Sequence, residues 1–137
     1  MSNPSLEKII QEWPELTYAG FFVPDLREPG EGAAAARERH RARMLEPEAL
    51  EEFDRAVSFI AGNLEPGARI NNDASSYDLK HRAEDWHHAN GTPAYISNGM
   101  FIAAMLNQLY RARITGINCK FNVSPVSMKR LRHVHTG

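Results

Sequence analysis

Three long cations near the C-terminal end of the chain are spaced for work on an anion. Arg111, Arg113 and Lys120 alternate with apolar or small residues in two short runs, Arg111-Ala-Arg-Ile-Thr115 and Cys119-Lys-Phe-Asn-Val-Ser124. Gly116-Ile117-Asn118 separates the runs and supplies a turn. Two runs of period two around such a turn predict a β-hairpin with one apolar face and one basic face. Cations on an outward strand face reach phosphates, and phosphate contacts supply most of the affinity of proteins for nucleic acid. Ser97-Asn98-Gly99 opens an apolar segment, where free backbone N–H groups at a helix N-terminus would add a second phosphate site. Lys129, Arg130 and Arg132 extend the basic character into the tail.

Other chemistries find less support. His81, Glu84 and His88 fall at i, i+3 and i+7 on one helical face, a pattern able to touch a divalent metal. Without a spaced partner pair elsewhere, an ordinary polar helix face is the preferred reading, so no metal is assigned. Cys119 lies on the expected inward face of the hairpin, where thiols are inert. No serine sits in a Gly-x-Ser-x-Gly setting, and no Gly-rich phosphate loop is present. The expectation is a non-enzymatic protein without a cofactor.

The charge distribution points the same way. All 17 acidic residues lie at or before Asp85, together with 10 of the 16 Lys and Arg residues. Residues 86–137 hold the other six cations, four histidines and no Asp or Glu. Such asymmetry suggests that one end meets an anionic partner, or that the two ends attract each other. No apolar run approaches the roughly 20 residues of a membrane span, and the N-terminus has no secretory pattern. One cysteine, unable to form an internal disulfide, fits a reducing cytoplasm.

The elements that must position these residues make one α+β domain over 1–137. Ser5 caps a short helix carrying Leu6, Ile9 and Ile10, stopped at Trp13-Pro14. Tyr18 to Val23 is a strand or a buried turn, and 24–32 a loop. Ala33 to Met44 is Ala-rich, with Arg37, Arg39, Arg41 and Arg43, and reads as a solvated helix or a mobile arm; a nucleic-acid-contacting arm is the alternative. Pro47 opens a helix over 48–61 with the stripe Leu50, Phe53, Val57, Ile60 and Leu64. A polar connection over 67–74 leads to helices over 76–88 and 98–110, then to strands over 111–115 and 119–124. Residues 125–137 read as a basic, mobile tail. The expected core is Phe53, Val57, Ile60, Leu79, Trp86, Phe101, Ile102, Leu106, Ile114, Phe121 and Val123.

The helix–turn–helix–hairpin order of residues 75–124 suggests a winged-helix-like unit. Its second helix offers only Met100, Ala103, Ala104 and Asn107 on its least apolar face, which predicts weak base readout. Three stretches, Ser75-Ser-Tyr-Asp-Leu-Lys-His81, Tyr95-Ile-Ser-Asn-Gly-Met-Phe-Ile-Ala-Ala104 and Asn118-Cys-Lys-Phe-Asn-Val123, resemble small uncharacterised proteins of phages and other mobile elements. They also loosely resemble winged-helix domains appended to phage replication proteins. The resemblance implies a phage or plasmid origin and carries no site residues. The leading expectation is a nucleic-acid-binding accessory protein of a mobile element, with DNA or RNA as partner. The alternative is a protein-binding adaptor or inhibitor, for example one that blocks a host defence complex.

Overall fold

A computed structural model describes residues 4–21 and 28–136, with 132–136 as backbone only. The first helix, α1 (Leu6–Glu12), starts at Ser5, whose Oγ accepts from Lys8 N at 3.2 Å. A small antiparallel pair follows, β1 (Leu16–Thr17) and β2 (Gly20–Phe21). The run expected as a strand or buried turn is thus both, although its end at residues 22 and 23 lies outside the described residues. Helix α2 (Ala33–Ala42) passes through a 3-10 turn, Arg43–Leu45, into α3 (Pro47–Asn63). Pro47 stands in the first turn of α3, as expected. Then come α4 (Ser76–Ala89), α5 (Asn98–Asn107), the antiparallel pair β3 (Ala112–Ile114) and β4 (Cys119–Phe121), and α6 (Pro125–Thr136). Six helices and two small antiparallel sheets make the described fold α+β. No helix among the described residues is long and apolar enough to cross a membrane.

Helix α5 is the axis of the core. Every residue from Gly99 to Asn107 is buried, under cover from α3, α4 and α1. Phe59 of α3 stands where these elements meet, with its ring centroid 5.9 Å from that of Trp86 and 6.5 Å from that of Phe101. The face of α3 that does this differs from the expected stripe. Its buried residues are Ala49, Glu52, Ala56, Phe59 and Ile60, while Leu50 is 40% exposed and Phe53 and Val57 are half-buried. The seam runs along the alanines because their small side chains let α5 come close. A count of large apolar residues passes over them. Of the remaining expected core, Leu79, Phe101, Ile102, Leu106, Phe121 and Val123 are buried and Trp86 is half-buried. Ile114 is exposed, because it lies at the tip of the hairpin beyond the helices.

Three boundaries depart from expectation for local reasons. Helix α5 stops at Asn107 rather than Tyr110, because Leu109 adopts φ +71°. Leu109 N–H donates to Leu106 O and Tyr110 N–H to Met105 O, at 3.1 and 3.0 Å, which is the hydrogen-bond pair of a Schellman stop. The connection expected over 67–74 lines the free edge of β4. Phe121 N–H donates to Ala74 O and Asn71 N–H to Phe121 O, at 3.0 and 2.9 Å. The tail expected to be mobile is α6. Ser124 Oγ accepts from Ser127 N at 3.1 Å and Pro125 takes the first helical position, so the Ser-Pro pair that ends the strand also starts a helix. Ser127, Met128 and Leu131 are buried and tie α6 to the core.

Two stability outcomes follow from this geometry. Phe59→Ala should cost on the order of 3–5 kcal/mol and Leu50→Ala less than about 1 kcal/mol in urea unfolding. The reverse order would restore the stripe read from the large apolar residues. Leu109→Gly should leave stability unchanged or raise it by up to about 1 kcal/mol, since glycine relieves the left-handed strain at an exposed side chain but costs chain entropy. A loss above that size would mean that the Leu109 side chain holds the turn.

Candidate nucleic-acid interface

The register of the second hairpin pairs Ala112 with Phe121, Arg113 with Lys120, and Ile114 with Cys119. Phe121 and Cys119 are fully buried, so Arg113 and Lys120 face each other on the opposite, outer side. Arg111, two residues before Arg113, shares that side. Its backbone N–H donates to Asn122 Oδ1 at 2.7 Å, which continues the ladder beyond the strand. The guanidinium groups reach the 67–74 connection, Arg111 to Ala68 O and Arg113 to Asn72 Oδ1, both at 2.6 Å. Both acceptors are neutral, so the two arginines are braced without losing charge. Among the described residues, none of Arg69, Arg111, Arg113 and Lys120 forms an ion pair. A groove of about 610 Å³ runs along the same connection, between its residues 67–73 and Val123, Pro125 and Met128. The structure therefore brings together the three hairpin cations and adds Arg69 and Asn72. The sequence signal for Arg69 and Asn72 was only the polar connection over 67–74, which gave no pairing partner.

Ser97 and Asn98 do not form the expected phosphate site. Ser97 N–H donates to Glu52 Oε1 at 2.7 Å, and Ser97 Oγ accepts from Met100 N at 3.3 Å. Gly99 N–H donates to Tyr18 O at 2.9 Å. Asn98 Nδ2 donates to Asn118 Oδ1 at 2.9 Å and lies within 3.4 Å of Ala19 O and Ile117 O. The backbone donors of Ser97, Gly99 and Met100 are used, and a buried carboxylate lies beneath them, so an anion finds neither these donors free nor a favourable field. The approach is tight: a Cβ on Gly99 would lie 1.9 Å from Thr17 O. The second helix of the expected winged-helix-like unit, read as poor at base readout, is closed off for a related reason. Met100, Ala103, Ala104 and Asn107 are as buried as the rest of α5, which presents no free face. Lys129 and Arg130 are exposed on α6, with Arg130 3.8 Å from Glu65. The Arg132 side chain lies outside the described residues.

The arginines of α2 and of the 3-10 turn after it serve the fold. Arg37 pairs with Glu15 at 3.2 Å and Arg39 with Glu31 at 2.9 Å. Arg39 and the Glu28 backbone N–H hold the Glu31 carboxyl down at about 2. Arg41 donates to the carbonyls of Ile10, Trp13 and Leu16, closing the C-terminal end of α1. Arg43 lies 4.1 Å above the Tyr18 ring. The segment is a helix with committed cations rather than a mobile arm.

The histidine face is not assembled into a ligand set. His81 Nδ1 is 3.2 Å from Glu84 Oε1, but Glu84 also takes Lys80 at 3.3 Å and accepts from Ile96 N at 3.0 Å. No group of three or more His, Cys, Asp or Glu side chains converges among the described residues. Burial pushes the Cys119 thiol up to about 12, as the inward face of the hairpin implies.

Glu52 is the polar residue that composition did not reveal. It is 3% exposed and accepts from Tyr18 Oη at 2.5 Å as well as from Ser97 N. Burial and this carboxylate raise Tyr18 above the ordinary tyrosine value. Glu52→Ala leaves two buried donors unpaired and should cost on the order of 2–5 kcal/mol, with Glu52→Gln recovering part of the loss. Equal, near-zero losses in thermal and urea unfolding would show that both donors find other acceptors. In comparisons with known proteins, no family model, no curated protein and no solved structure matches the chain.

Proposed function

We propose that the protein is a non-enzymatic nucleic-acid-binding accessory protein that holds phosphates on the outer face of its second hairpin, without reading sequence. The observation that carries this reading is the pair Arg113 and Lys120, directly opposed across the ladder with Arg111 beside them. Like charges opposite one another destabilise a sheet, and an anion lying across them removes that cost. The neighbouring groove carries one further cation, Arg69, together with Asp73. With α5 buried, that helix offers no long polar side chain to base edges, so affinity comes from charge. A mobile-element origin rests on the likeness of the three stretches named above.

The test is a titration of labelled duplex DNA, single-stranded DNA and RNA at about 50 mM salt. Arg111→Ala, Arg113→Ala and Lys120→Ala should each weaken binding for all sequences alike. Each should also lower the slope of log affinity against log salt by roughly 0.7–0.9. Arg37→Ala, which removes a cation already paired with Glu15, should leave the slope unchanged. Absence of binding to all three nucleic acids would remove this reading and favour the protein-binding adaptor.

A further inference from the structure

Beside the basic face lies a cleft of about 470 Å³ where α4, the turn before α5, the first hairpin and the tip of the second hairpin meet. Its walls carry Tyr77 and Tyr95, which are 52% and 59% exposed, and its floor carries Tyr18, Asn98 and Asn118. Exposed tyrosines are ordinary singly, but these two are held. The backbone at Tyr95 is fixed on both sides, since its carbonyl accepts from Arg55 at 2.7 Å and the next N–H donates to Glu84. Lys80 Nζ lies 5.5 Å from the Tyr95 ring centroid, and the His81 ring meets Tyr77 edge-on at 4.4 Å. Two aromatic surfaces are therefore positioned in advance, with the Arg43 guanidinium at the same cleft. On the floor, Asn98 Oδ1 is buried without a donor.

The cleft and the basic face are continuous. Asn118 and Lys120 flank buried Cys119, so they fall on the same side of β4. Lys120 also bridges to Ser75, two residues before Tyr77. A strand of nucleic acid crossing Arg111, Arg113 and Lys120 by its phosphates arrives at two rings able to stack a base. A base inside a duplex is already stacked and cannot enter. We infer that the ligand is single-stranded nucleic acid, with an unpaired base held in the Tyr77/Tyr95 cleft while its backbone follows the hairpin cations. This inference rests on the phosphate-binding reading and narrows it.

The test compares a labelled oligothymidylate of about 12 nucleotides, within the range one small domain covers, with a duplex of the same length. The parent protein should bind the single strand more tightly. Tyr77→Ala and Tyr95→Ala should weaken single-strand binding by roughly 5- to 100-fold each and leave duplex binding unchanged. Tyr77→Phe and Tyr95→Phe should retain most of the single-strand affinity, because the ring rather than the hydroxyl stacks. Thermal unfolding of each variant separates loss of the ring from loss of the fold. If both alanine variants bind single strand and duplex as the parent does, while Arg113→Ala weakens both ligands, the cleft is not a base site and the phosphate reading stands alone. If the parent binds neither ligand, both readings fall.

Discussion

The arrangement of the whole molecule depends on one buried carboxylate. Glu52 sits on the face of α3 that meets α5, and its two oxygens accept from Tyr18 of the first hairpin and from the backbone at the cap of α5. Burying a carboxylate is expensive unless its lone pairs are met. Here the partners come from segments 34 and 45 residues away in the chain, so the bond network joins three elements that are distant in sequence. The same junction requires Gly99, because the carbonyls of Thr17 and Tyr18 lie where any larger residue would place its first carbon. Once Glu52, Tyr18 and Gly99 are engaged, the backbone donors of Ser97 and Gly99 at the N-terminus of α5 are used.

That hairpin was legible in the sequence because period two leaves little choice. Arg111, Arg113 and Lys120 had to share a side if Cys119 and Phe121 were to be buried, and the register confirms it. The cap at Ser5 and the opening of α5 at Ser97 were equally readable, since each side chain has one backbone donor within reach. What stayed hidden depended on distant partners or on small residues. Ala49 and Ala56 define the seam of α3, yet alanine gives no periodic signal. The pair Ser124-Pro125 reads equally as the end of a strand and as the start of a helix, and only the burial of Met128 and Leu131 decides between them. The Ser97-Asn98-Gly99 segment has the composition of an anion site, but its donors are claimed by residues some 80 and 45 positions earlier.

Electrostatic pairing follows the division seen in the sequence and explains it. All 17 acidic residues lie at or before Asp85, and there Lys8, Arg37, Arg39 and Lys80 find partners among them. Arg41 and Arg43, lacking a carboxylate, are used as a helix cap and as a ring cover. Beyond Asp85 no acid exists to pair with, and Arg130 reaches back to Glu65 across 3.8 Å. The balance near zero net charge therefore conceals a first part with 17 acids against 10 Lys and Arg, and a second part with six cations and no acid. Long-range attraction between the ends, the bland account of the asymmetry, would predict ion pairs to Arg111, Arg113 and Lys120, and none forms among the described residues.

A purely structural account also gives the wrong sign at the Arg113–Lys120 pair. An acidic residue at either position would turn a repulsion into an attraction, a difference on the order of 1 kcal/mol in a cross-strand pair. The apolar side of the ladder would be untouched, because Ala112, Cys119 and Phe121 make that contact. The braces from Ala68 and Asn72 act in the same direction as the charges. They fix Arg111 and Arg113 over the outer face with neutral oxygens, where a carboxylate would have held them as firmly and cancelled them. Positioning with charge retained lowers the ordering cost when an anion arrives. The hairpin is therefore built at a small expense to its own stability, on the order of the cross-strand repulsion between Arg113 and Lys120.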